Sequence, residues 1–137
     1  KGCTRLDFSS HPFSTALHPH DSRITTRILP HLFMSNIFSI LHEAGHSMYE
    51  TGLPIKFWGT PLCEATSLSV HESQSRFWET LIGRGLPFWE FFYPQLKKEL
   101  PKHLKKIPLE RFYRAINKVS PSLIRGISPE ASTIFAA

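Results

Sequence analysis

The chain has 137 residues, no apolar run that approaches a bilayer's width, and only two cysteines, Cys3 and Cys63. A membrane-spanning helix needs about 20 consecutive apolar residues, so no such span and no membrane partner is expected. Two cysteines do not make a disulfide framework, and no segment reads as a secretory signal, so a reducing cytoplasm is the expected compartment. Internal repeats are also missing. Acidic residues are scarce, with 11 Asp and Glu against 16 Lys and Arg and a net charge of +5. That surplus raises nucleic acid as a partner, and Lys97, Lys98, Lys102, His103, Lys105 and Lys106 form its densest cluster. Pro101 interrupts the cluster, and no Gly-rich, aromatic-interleaved or finger-like motif accompanies it. It therefore reads as a solvated surface, with no nucleic-acid partner expected. With 41% hydrophobic and 20% charged residues, the composition predicts one modest core and a single domain over 1–137.

Against this background, His42-Glu43-Ala44-Gly45-His46 stands out. Two histidines four apart on a helix point the same way, so both imidazoles can hold one Zn²⁺ while Glu43 sits beside the metal's open position. Chance spacing would produce such a pattern in roughly a few per cent of chains of this composition. Phe33, Ile37, Ile40, Leu41, Ala44 and Met48 recur at helical spacing, which predicts a helix over 32–51 stopped by Gly52 and Pro54. Gly45 would weaken a helix interior by about 1 kcal/mol relative to Ala. Its place between the two histidines suggests that another backbone or a substrate comes close there.

A catalytic zinc site uses three protein ligands plus water. The metzincin solution needs Gly at position 49 and His at position 52, where this chain has Tyr49 and Gly52. A glutamate on a later helix is the remaining common solution. The stretch Thr60–Ile82 predicts that helix, with Thr60 as N-cap, Pro61 at the first helical position and Gly83 after its end. It offers Glu64, Glu72 and Glu79. Glu72 is preferred because it lies on the stripe of Ala65, Leu68, Ser69 and Arg76, flanked by His71 and Gln74 as donors that could orient the ligands; Glu64 is second. Cys63, nine residues from Glu72, reads as a buried core thiol. A second histidine group, His11, His18, His20 and His31, is too irregularly spaced to suggest another metal site.

His71-Glu72-Ser73-Gln74 joins three other strings in order: His11-Pro12-Phe13, Asp21-Ser22-Arg23-Ile24-Thr25, and the HExxH segment. With these four motifs the chain resembles the thermostable carboxypeptidase family of metallopeptidases, the carboxypeptidase Taq type, whose signatures are HPF, DxRxT, HExxH and HESQ. The similarity extends through Gly59-Thr60-Pro61-Leu62, Phe112–Asn117 and Pro121–Arg125, and departs from the family pattern after Arg125. The resemblance implies a partial catalytic domain of a mostly helical, zincin-type, cytoplasmic and dimeric peptidase. Such an enzyme removes single residues from peptides with a free C-terminus. It also implies zinc, or a similar divalent ion such as cobalt, on His42, His46 and Glu72, with Glu43 as general base. An exopeptidase must bind a free carboxylate, and a planar guanidinium matches that group best. Arg23, Arg27 and Arg125 stand in or beside family motifs, and Arg23 and Arg125 are the preferred candidates. The plain alternative is an arginine tied to Asp21 or to a helix end. His11 is a candidate to line the site, although a histidine before proline in a turn is as often structural.

The expected architecture is mainly α with a short β element near the N-terminus. Arg23–Leu29 predicts a short edge strand, Pro87 opens an aromatic-rich helix that should kink or break at Pro94, and Pro108–Val119 predicts a helix turning Leu109, Phe112, Ile116 and Val119 inward. Phe88, Trp89, Phe92 and the Trp58 loop are expected to form an exposed apolar patch that drives self-association.

Overall fold

A computed structural model describes residues 4–119 of the chain. Three strands open it, β1 (Thr4–Phe8), β2 (Phe13–His18) and β3 (Asp21–Thr26). They form one sheet in the order β1-β3-β2, with β1 parallel and β2 antiparallel to β3. The segment expected at an edge is therefore the central strand. Ser22, Ile24 and Thr26 alternate along it and are all buried, as befits one strand face covered by the rest of the fold. Arg23 takes the opposite phase and is exposed. Thr25 ties the two N-terminal motifs together, because its hydroxyl donates to the carbonyl of His11 at 3.0 Å and accepts from the amide of Phe13 at 3.1 Å.

Helix α1 (Phe33–Thr51) follows, and Gly52 ends it. Asn36 pins its entry by bonding both the amide and the carbonyl of Leu29, each at 3.0 Å. Met34 and Phe38 are its most deeply buried apolar residues, whereas Met48 is exposed. The expected stripe was thus rotated slightly, because α1 is covered by the sheet and by helices rather than along one face.

The predicted helix over Thr60–Ile82 is instead three pieces. Pro61 opens only a short 3₁₀ turn (Pro61–Cys63), Glu64 is extended, and α2 (Leu68–Arg76) starts at Ser67, whose hydroxyl accepts from the Val70 amide at 3.2 Å. Thr60 caps nothing; its hydroxyl donates to the Phe57 carbonyl. The competing local bonds of Thr60 and Ser67 explain the break. Cys63 is buried, as expected, but lies before α2 rather than on it. Beyond Arg76 the helix widens to a π-helical stretch (Phe77–Ile82), closed by a bond from the Gly83 amide to the Trp78 carbonyl at 2.9 Å.

Helix α3 (Leu86–Glu99) runs through Pro94 without breaking. The missing amide is tolerated because the turns on either side are anchored. Trp89 donates to the Gly83 carbonyl and Tyr93 to the Ile107 carbonyl, both at 2.8 Å. A short helix α4 (Pro101–Leu104) and α5 (Leu109–Ile116) complete the described chain. Trp89, Tyr93, Leu104, Phe112 and Ile116 join Met34 and Phe38 in the core, with the Trp89 and Tyr93 rings 4.8 and 4.6 Å from that of Phe112. Trp89 is therefore not part of an exposed patch, and Phe88 packs against the core. Phe91 and Phe92 are the exposed aromatics of α3, and Trp58 is exposed as expected, with its ring edge-on to His18 of the sheet. Four residues separate Trp89 from Tyr93, so turning that pair inward rotates Phe91 outward. Val119 lies beyond α5 and is 93% exposed. The expectations for Arg125 and for the tail after Ser120 fall outside the described residues.

At Gly45 two helices cross closely. A Cβ there would stand 2.7 Å from the Cα of Ser75 and 2.9 Å from the carbonyl oxygen of Gln74, so α1 and α2 meet backbone to backbone. Gly45→Ala sets a helix-propensity gain of about 1 kcal/mol against an overpacking cost of about 1–3 kcal/mol. The contact is with backbone, which cannot swing aside, so the cost should win and lower the urea midpoint. A midpoint at or above that of the unsubstituted chain would show that the helices separate freely.

Candidate metal centre

The α1–α2 crossing decides where the chemistry sits. Gly45 lets α2 lie close enough for Glu72 to reach the two histidines of α1. Glu72 Oε2 stands 3.6 Å from His42 Nε2 and 3.4 Å from His46 Nε2. All three donor atoms lie within 4.8 Å of one another, and they form the group among the described residues that could hold a metal ion. Around an ion bonded tetrahedrally at about 2.0–2.1 Å, neighbouring donors stand roughly 3.3–3.4 Å apart. The two histidine–carboxylate distances are near that spacing, and a donor set of two imidazole nitrogens and a carboxylate fits zinc or a similar divalent ion.

The carboxylates around this cluster have distinct roles. Glu79, on the π-helical stretch, is 5% exposed, and its Oε2 lies 2.8 Å from His42 Nδ1. His42 thus presents Nε2 to the cluster and is held from behind at Nδ1. Arg76 links both acids of this helix, bonding Glu72 through Nε at 3.2 Å and Glu79 through Nη1 at 3.0 Å. Burial alone would raise the pKa of Glu79, but the His42 hydrogen bond and the Arg76 charge outweigh it and hold the group below its ordinary value. The same hydrogen bond lifts His42 above its ordinary value against the opposing effect of burial. His46 moves the other way. Burial, then repulsion from His71 and His42, pulls it down to about 4, so near neutral pH its ring carries the free lone pair that a metal needs.

Glu43 is 8% exposed. Burial pushes its carboxyl up, and His42 and a hydrogen bond from Ser14 on β2 pull it back part of the way. The result is a carboxylate more basic than usual beside the histidines, a property suited to taking a proton.

The remaining sequence candidates are placed as follows. Glu64 is exposed between the 3₁₀ turn and α2 and is not in the cluster. His71 enters the site as a ring stacked on His46, and Gln74 contributes its backbone against Gly45. His11 is exposed in the turn before β2. Arg23 makes a two-point pair with Asp21 at 3.0 and 3.1 Å, the ion-pair alternative weighed from sequence. Arg27 is exposed, and Arg125 lies outside the described residues. Among the described residues, His11, His18, His20 and His31 form no metal-holding group. Sequence reasoning missed the role of Glu79, although its spacing of seven from Glu72 and three from Arg76 put it on their helix face. It also missed Glu50 and Ser14, whose parts depend on distant segments.

This geometry defines a metallopeptidase-type centre, two histidines on α1 and a glutamate on α2 with a buried carboxylate beside them. The model of the carboxypeptidase Taq (M32) metallopeptidase family matches residues 2–132, and the chain belongs to that family. It is 54% identical over 121 residues to thermostable carboxypeptidase 1 of Thermus thermophilus and 43% identical to carboxypeptidase 1 of Bacillus subtilis. Each alignment covers 88% of this chain but 24% of the relative, so the chain spans about a quarter of their length. Its fold is similar to that of an M32 carboxypeptidase from Deinococcus radiodurans, with a TM-score of 0.86 and 46% identity over 90% of this chain and 25% of that one. A carboxypeptidase from Pyrococcus furiosus, solved as "Apo-Mg", gives a TM-score of 0.85 at 44% identity over the same 90% of this chain.

Three substitutions separate the carboxylates by metal affinity, measured by competition with a chelator. Glu72→Gln should weaken binding most, Glu79→Gln by about 10–100-fold through loss of the group that orients His42, and Glu64→Gln not at all. Retained binding in Glu72→Gln with loss in Glu64→Gln would overturn the ligand assignment.

Proposed function

We propose that this chain carries the catalytic centre of a zinc-dependent carboxypeptidase, in which His42, His46 and Glu72 hold the ion and Glu43 is the general base. The observation that carries the reading is the convergence of the three donor atoms on one point with buried Glu43 beside them. His42, His46 and Glu72 would hold a divalent ion that would supply a Lewis acid for the scissile carbonyl and would lower the pKa of the attacking water. Glu43 would take the proton from that water and return it to the leaving amine, and its raised pKa favours the first of these transfers. Glu79 keeps His42 in the tautomer that leaves Nε2 free. Arg76, ionically bonded to Glu72 and Glu79, balances part of their charge.

Release of single residues from a free C-terminus is supported by the names of the relatives, which are carboxypeptidases. Carboxylate recognition is assigned to Arg23 and Arg125, with His11 alongside; Arg23 would have to exchange its exposed Asp21 partner for substrate. Cys63 is a free buried thiol, which suits a reducing compartment such as the cytoplasm.

In the full-length protein Glu43→Gln should lower peptide turnover by at least the 10²–10⁴-fold that general-base catalysis contributes, with metal content unchanged. Loss of the metal in that variant would make Glu43 a structural or ligand group instead. A peptide blocked as its C-terminal amide should not be cleaved; equal turnover of amidated and free peptides would refute carboxylate recognition and indicate an endopeptidase.

A further inference from the structure

The two histidines of the centre are held in different ways. His42 has a carboxylate behind it, the arrangement usual for a metal-ligating imidazole. Among the described residues, no side-chain carboxylate lies behind the Nδ1 of His46; a backbone acceptor of His71 lies near the ring, and the ring stacks on that of His71, with centroids 4.4 Å apart and planes 17° from parallel. His71 is fixed in turn. Its Nε2 lies 2.8 Å from Glu50 Oε1, and the Tyr49 ring meets it edge-on at 5.5 Å. Glu50 is one helical turn beyond His46 on α1, and His71 directly precedes Glu72 on α2, so the contact bridges the same two helices that carry the ligands.

His71 also has room to leave. With Glu50 it lines a cavity of about 220 Å³, whose other walls are Ser14, Thr15, Ala16, Ser22 and Ser47. Close packing does not hold the ring on that side, since the space would take several waters. The groups placed to keep His71 against His46 rather than turned into the cavity are the Glu50 carboxylate, at ion-pair distance, and the edge-on Tyr49 ring.

We propose that His71 is a positioning residue for the metal centre: held by Glu50, it fixes the plane of the His46 ring by stacking and so takes the part that Glu79 takes for His42. The inference rests on the proposed function, in that His46 must be a ligand. The ring face, not a ring nitrogen, does the orienting, and this separates the idea from a hydrogen-bonding or charge role for His71.

The test uses the full-length protein loaded with Co²⁺, whose visible absorption reports ligand geometry, and with Zn²⁺ in chelator competition. His71→Ala should weaken metal affinity about 10–100-fold, the usual consequence of losing a group that orients a ligand, and shift the Co²⁺ bands. His71→Phe keeps a ring face without a nitrogen and should recover affinity to within about threefold. Glu50→Ala, which leaves His71 in place but frees it, should fall between the two and keeps the idea testable should His71→Ala not fold. An unchanged affinity and Co²⁺ spectrum in His71→Ala or in Glu50→Ala would overturn it, as would a His71→Phe variant no better than His71→Ala. If His46→Ala leaves metal binding intact, the assignment of the centre itself has failed, which is a separate result.

Discussion

Everything at the candidate centre depends on the contact of two helix backbones at Gly45 and Ser75. A side chain at position 45 would press its Cβ against the α2 backbone at Gln74 and Ser75, and α2 is the helix that carries Glu72 to the histidines. The glycine therefore sits where a helix interior ordinarily disfavours it. The local cost of about 1 kcal/mol is offset by the packing that the close approach allows. Ser75, with 0% exposure, is the reciprocal small residue on the other helix.

Once the helices are that close, electrostatics settles the protonation of the groups between them. Two histidines and three glutamates share a half-buried volume, and the pattern of contacts divides them. Glu79, with Glu72 and Glu43, favours charge on His42, whereas burial and neighbouring imidazoles disfavour it on His46. Glu43, raised chiefly by burial, is left basic. The π-helical stretch widens the helix where Glu79 must face His42, in keeping with the tendency of such irregularities to occur at functional sites.

The sheet acts as the backing of this arrangement. β3 is buried because it lies between two strands and beneath α1, and Thr25 on it clasps the HPF turn through both of its hydroxyl's hydrogen-bonding capacities. On the far side of α1, the Trp89, Tyr93 and Phe112 cluster anchors α3 and α5. The site helix is thus clamped between a sheet and an aromatic core, which gives its histidines a fixed platform.

What the sequence determined by itself was whatever helical periodicity controls. The four-residue spacing of His42 and His46, the span and end of α1, and the need for a close neighbour at Gly45 all follow from which residues share a face. Strand and helix boundaries near residues 60–67 were misread because Thr60 and Ser67 offered caps whose competition depends on the surrounding chain. The central place of β3, the inward turn of Trp89, the partnership of Glu79 with His42 across 37 residues and the stack of His71 on His46 were decided only by tertiary structure. Those features depend on distances between segments far apart in the chain. Local spacing restricts such distances but does not set them, because the pairing and packing energies that choose them exist only once the segments have met.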